Sequence, residues 1–180
     1  METFAVIKEL VENPLFSRQK QKALRELAVA PIDQPIIELI DDFNKLPCCF
    51  TMQCCHGHFV YPGQDNPHKI APLPRNTNIT EVEYRIAYIA FCLDNCDQGR
   101  QFLDSLRDIV AIDPDNIQLG SPTWFWNRHI NSYALQVEPD RYKYRDTANI
   151  SYQEALKIEA VRDEFYNKLA ILIKRLLTKA

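Results

Sequence analysis

An α+β domain, with mixed α/β as the neighbouring description, is the fold class this sequence predicts. Three observations predict it. Helical patterns open and close the chain. Strand-like runs lie between them, led by the apolar run Tyr84–Leu93. The order of helices, then strands mixed with helices, then a helix is that of an α+β or mixed α/β domain. The expected layout is a small mixed sheet flanked by helices, with a long C-terminal helix. At 180 residues one domain suffices. Its parts are a helical segment 1–46, a sheet-containing core 47–150 and the C-terminal helix 151–178.

Taken in order, Phe16–Leu27 reads as a helix carrying Lys20, Lys22 and Arg25 between apolar positions. A second helix starts near Asp33, which can cap it, with Pro35 in its first turn. Ile36, Leu39, Ile40 and Phe43 then recur at helical spacing, and Pro47 stops the run. Two short strands, or a strand and a tight bend, follow through Tyr61. Residues 62–80 form a long loop with four prolines, and a loop of that length in a compact domain is usually functional or mobile. Tyr84–Leu93 has the composition of one central strand buried on both faces.

Asn95 and Gln98 mark the start of a helix with Phe102, Leu103, Leu106, Ile109 and Val110 on one face. Ser132–Glu138 alternates, with Tyr133, Leu135 and Val137 on one side, as a half-buried strand does. Ser151 and Glu154 have the spacing of a capping box for the last helix. Ile158, Phe165, Leu169, Leu172 and Leu176 supply its apolar stripe.

The composition, 46% hydrophobic and 25% charged, is that of a globular protein. No apolar run approaches the roughly 20 residues of a membrane helix, and the N-terminus lacks the pattern of a signal peptide. A cytoplasmic location with no membrane partner is therefore expected, with free thiols or metal ligands rather than disulfides. A net charge of −3 argues against coating nucleic acid by bulk electrostatics, but leaves room for a local basic surface. Nothing in the pattern sets an oligomeric state.

The chemistry is concentrated in Cys48–His58, which holds four of the six cysteines and two of the four histidines. On an uninterrupted strand Cys54, His56 and His58 would share a face, a workable set of zinc or iron ligands. The ligand types fit a metal, but the spacing does not match a structural site, so no tightly held metal is expected. Buried small thiols are the plainer reading. Cys55 is a candidate nucleophile, with His56 or His58 as its base.

Ser121–His129 holds both tryptophans, Trp124 and Trp126, beside Arg128 and His129. It reads either as a hairpin whose aromatics complete the core or as a stacking surface for a base. Arg141, Lys143, Tyr144 and Arg145 interleave cations and aromatics, a pattern shared by single-stranded RNA sites and solvated loops. No Walker loop, dinucleotide fingerprint, Gly-x-Ser-x-Gly or His-Glu-x-x-His occurs.

The order of these parts resembles the third wybutosine-synthesis protein family, which are tRNA-modifying methyltransferases. That family opens with Phe, Lys and Leu and an acidic helix. An Asn and then a Thr-Thr-Ser-Ser-Cys-Ser-Gly-Arg segment follow. Here Phe16 and Lys20 fit the opening, Asn44 fits the Asn, and Phe50–His58 fits the segment. Thr51, Cys55 and Gly57 match it. The family serines fall on Gln53, Cys54 and His56, and its arginine falls on His58.

The resemblance implies methyl transfer from S-adenosylmethionine to a modified guanine next to the anticodon of a phenylalanine tRNA. The expected cleft is walled by the Cys-rich segment and the Pro-rich loop. In it Thr51, Cys55 and Gly57 shape the floor, and Cys54, His56, His68, Arg75, Arg128 and His129 contact substrate. His58 takes part in proton transfer, since an imidazole titrates near neutrality.

Overall fold

The computed structural model describes residues 6–75, 78–139, 142 and 147–178. It has five α-helices and seven strands among them. These are α1 (Phe16–Leu27), α2 (Ile37–Lys45), β1 (Cys49–Cys55), β2 (His58–Val60), β3 (Glu81–Arg85), β4 (Ala87–Leu93), α3 (Asp97–Val110), β5 (Ile117–Gly120), α4 (Thr123–Arg128), β6 (Ser132–Val137), β7 (Thr147–Ser151) and α5 (Tyr152–Leu177). The class is α+β, as expected. The sheet, however, is divided into two antiparallel sheets, one of order β1-β4-β6-β5 and one of order β2-β3-β7.

The apolar run expected to be one strand is two. It leaves the smaller sheet at Arg85, bends at Ile86 and enters the larger sheet at Ala87. Both halves are central, β3 between β2 and β7, and β4 between β1 and β6. Tyr84 holds the corner. Its hydroxyl donates to Val137 O (2.8 Å) and accepts from the Ala87 amide (3.0 Å). The bend therefore keeps its hydrogen bonds although no glycine or proline marks it.

Side-chain alternation gives the larger sheet two covered faces. Ile89, Phe91, Leu93, Tyr133, Leu135 and Val137 point into the main core, where α2, α3 and α5 deliver Phe43, Phe102 and Phe165. On the other face Phe50 and Cys92 pack under Phe16 of α1, while Ala90 and Ala134 pack under Phe125 of α4. That second cover explains why β6 is buried at every position and is not the half-buried strand its alternation suggested. The segment Ser121–His129 forms the short helix α4 in place of a hairpin.

The ends of α5 follow the sequence. Ser151 Oγ accepts from the Glu154 amide at 3.2 Å, and Ile158, Phe165, Leu169 and Leu172 are buried. Among the described residues no helix is long and apolar enough to cross a membrane.

Candidate functional site

Three side chains from separate elements converge where β1 turns into β2: Asp33, Cys55 and His58. One ligand-type atom from each lies within 4.8 Å of the others, and all three residues are half-buried. Asp33 had been expected to cap the second helix. It sits at the N-cap of the 3-10 turn Gln34–Ile36 but makes no side-chain cap bond. Its Oδ2 accepts from the His56 amide at 2.7 Å and lies 3.3 Å from His58 Nε2. The carboxylate that would have closed a helix end instead ties it to the Cys-rich turn.

Gly57 makes that turn possible. Its φ is +90°, and an added Cβ would come within 2.8 Å of Ala87 Cβ. A side chain here meets both a disfavoured backbone region and the start of β4. The turn swings His58 back beside Cys55, three positions after the strand has ended. Within β1 an irregularity between Thr51 and Gln53 shifts the register, after which Cys54 pairs with Ile89 and Cys55 with Tyr88. The neighbouring thiols therefore leave the strand on opposite sides.

Cys54, His56 and His58, the metal set read from simple alternation, do not come together; the group that does is Asp33, Cys55 and His58. All six cysteines are free thiols.

Helix α5 clamps the turn from behind. Glu159, Arg162 and Tyr166 lie three and four residues apart and so share a helix face. Tyr166 donates to Cys55 O at 2.6 Å, and its ring stacks on His56 with centroids 5.2 Å apart. Arg162 donates to Gly57 O at 3.3 Å and lies over the Phe59 ring. Glu159 accepts from the Leu73 amide (2.6 Å) and from Arg75 Nη2 (2.8 Å), which fastens the Pro-rich loop. These three buried polar residues escaped the sequence reading, which saw only the apolar stripe. The signal available was their helical spacing between apolar neighbours.

The electrostatics sort the candidates by role. Burial pushes the Cys55 thiol up to about 12; the Gly57 amide counteracts this and the Asp33 carboxylate adds to it. The thiol is thus protonated at neutral pH, so the expected nucleophile would need a base such as His58 beside it to take its proton. Burial likewise lifts Cys54 to about 11. His56 is pulled down to about 4 by burial and by the nearby Arg162 guanidinium, so it is neutral. The buried Nδ1 atoms of His56 and His58 make no hydrogen bond within the protein.

The other expected site residues lie elsewhere. Thr51 is buried and exchanges two hydrogen bonds with the Asn44 side chain, at 2.7 and 2.9 Å, so it braces β1 against α2 and does not line a floor. Arg75 is taken up by Glu159. His68 is exposed, its amide donating to Asn66 Oδ1 at 2.9 Å. His129 stands edge-on to Phe50, and Arg128 beside it is exposed. Phe50 is five residues before Cys55, about 15 Å along the strand, so this pair belongs to a separate surface. Arg141, Lys143, Tyr144 and Arg145 lie outside the described residues.

Three cavities among the described residues are lined by other groups. One of about 230 Å³ lies between α2 and α5 and reaches Tyr166, the residue that touches Cys55. Another of about 370 Å³ lies under the Pro-rich loop, between Tyr61, Pro74 and Ile79.

No family model matches the chain, and no curated protein sequence matches it. Among solved structures, one of the PH1069 protein from Pyrococcus horikoshii is similar at 14% identity over 91% of this chain and 93% of that one, with a TM-score of 0.48. A second, of the PH1069 protein from Pyrococcus horikoshii OT3, is similar at 16% identity over 93% of this chain and 94% of that one, with a TM-score of 0.47.

Proposed function

We propose that the protein is an RNA-modification enzyme of the kind its sequence resembles, one that methylates a modified guanine beside the anticodon of a phenylalanine tRNA. The observation that carries this reading is that the positions fitting the family pattern, Asn44, Thr51, Cys55 and Gly57, build one strand and turn, which brings in His58, standing where the family has arginine. Asn44 and Thr51 bond each other, and Gly57 turns the chain so that His58 meets Asp33 beside Cys55. When bound, S-adenosylmethionine supplies the electrophilic methyl group. The fit to a polar ligand of that kind rests on the buried, unbonded Nδ1 atoms of His56 and His58, which any such ligand could satisfy.

The chain's own work is positioning and proton transfer. Aligning donor and acceptor supplies most of the rate. His58, oriented by Asp33, takes the proton that the acceptor atom loses as its new bond to carbon forms. Cys55, held as a thiol, stands beside the Asp33 carboxylate and the His58 imidazole. On the separate surface, Trp124 is 55% exposed and Arg128 follows at i+4 on the same short helix, a pairing suited to stacking on a base and contacting a phosphate. An anticodon arm is long enough to reach both places.

The test is incubation with methyl-labelled S-adenosylmethionine and tRNA from cells lacking this protein, followed by digestion to nucleosides. Label in one modified guanosine is the expected result. No label in RNA, together with no RNA binding at low salt, overturns the reading.

A further inference from the structure

The Asp33, Cys55 and His58 cluster has a second use that depends on neither RNA nor a methyl donor. We infer that these three residues bind one divalent transition-metal ion, zinc by donor type, with a fourth coordination position open to solvent or substrate.

The donor set comes first. A carboxylate oxygen, a thiolate sulfur and an imidazole nitrogen are the three zinc-ligand types, the Cys55 proton being released to solvent as the metal binds, and a softer or harder metal would select against one of them. Geometry comes second. In a tetrahedral site with bonds of about 2.0–2.1 Å to oxygen and nitrogen, neighbouring ligands stand about 3.3 Å apart, and a sulfur ligand stands slightly farther off. Asp33 Oδ2 and His58 Nε2 are 3.3 Å apart, and all three ligand atoms fall within 4.8 Å. Small rotations of half-buried side chains close the remaining gap. Three protein ligands with one position left are the arrangement of a catalytic zinc, where a structural zinc has four.

The surroundings come third. Metal ligands are held by an outer layer of hydrogen bonds, and two of the three ligands here, Cys55 and Asp33, have one. The Gly57 amide donates to Cys55 Sγ at 3.4 Å, the His56 amide to Asp33 Oδ2 at 2.7 Å, and the Tyr166 hydroxyl to Cys55 O at 2.6 Å. The buried Arg162 fixes the Gly57 carbonyl between the two ligands of the Cys-x-x-His turn. Two of these contacts come from α5, more than a hundred residues away in sequence, so the turn is set by the whole fold. An Asp–His hydrogen bond alone would need neither the thiol nor this shell.

The experiment uses the intact chain stripped with a chelator and dialysed against limiting zinc, with no RNA or S-adenosylmethionine present. Its outcome is thereby separate from that of the methyl-transfer assay. The expected result is about one zinc per chain. Replacement by cobalt should give a thiolate-to-cobalt charge-transfer band in the near ultraviolet. Cys55→Ser should abolish that band, while Asp33→Asn and His58→Gln weaken retention at least tenfold. Cys54→Ser, which changes the thiol on the opposite side of the strand, should leave both readouts intact.

Circular dichroism checks each fold, and the two ligand variants that keep the thiol serve if Cys55→Ser does not fold. No retained metal in the wild type overturns the inference. So does equal retention in the wild type and the three ligand variants, or loss of the cobalt band in Cys54→Ser.

Discussion

Gly57→Ala is the sharpest perturbation of the turn that builds the site. Two costs add. Residue 57 has φ +90°, where an L side chain is strained by about 1–3 kcal/mol. The new Cβ would also stand 2.8 Å from Ala87 Cβ and 3.1 Å from Ala87 N, where the backbone of β4 cannot give easily, and such overpacking costs about 1–3 kcal/mol. The total is about 2–6 kcal/mol, or a fall in Tm of about 4–24 °C for a chain of this size.

Gly63→Ala is the internal control, because Gly63 has nearly the same φ, +83°, but nothing within 4 Å of an added Cβ. It should lose only the backbone part. Urea unfolding followed by circular dichroism measures both, and the difference reads the collision with Ala87. Adding Ala87→Gly to Gly57→Ala should recover part of that difference. If the two glycine variants lose equal stability, or Ala87→Gly recovers nothing, the close packing of the turn on β4 is wrong.

Other outcomes follow from the same geometry. Glu159→Ala leaves the Leu73 amide and Arg75 without their acceptor. It should cost about 2–4 kcal/mol and raise amide exchange at Leu73, whereas Arg128→Ala should do neither. The folded His56 has its pKa lowered from 6.5 to about 4, so the unfolded chain binds the extra proton between those values. Its contribution is present in full above pH 6.5 and lost as pH falls towards 4. It amounts to about 2 kcal/mol once partial screening is allowed for. His56→Gln should flatten the wild-type stability profile across that window. In the native protein near pH 7.5, Cys49, buried with its pKa well raised, and Cys55, at about 12, should alkylate far more slowly than in urea.

Much of the scaffold was readable because it rests on local pattern. Helix α1 and the capped start of α5 fall where periodicity and Ser151 placed them. The bend at Ile86 was not readable. Its hydrogen bonds come from the Tyr84 side chain, and no residue of the run Tyr84–Leu93 carries a turn signal. The burial of both faces of β6 depends on α4 returning over it, which alternation within one strand cannot reveal.

The crowding of thiols and imidazoles in the Cys-rich segment was legible, but which groups the fold gathers there was not. Asp33 looked like a helix cap, and only the tertiary structure shows its carboxylate turned to the His56 amide and the His58 ring. The shift of register in β1 and the positive φ of Gly57 reversed which of Cys54 and Cys55 faces His58. Arg162 and Tyr166 were hidden because a buried polar residue on an apolar helix face looks, in sequence, like an interruption of the stripe.

The proposed methyl transfer depends on His58 as the group that takes a proton beside Cys55. The direct measurement compares wild type with His58→Ala, following RNA affinity at low salt and methyl transfer under single-turnover conditions. The expected result is RNA affinity within a few-fold of wild type and a transfer rate at least about 100-fold lower, the range for loss of a positioned base. Unchanged transfer, or loss of rate matched by an equal loss of RNA affinity, would contradict it.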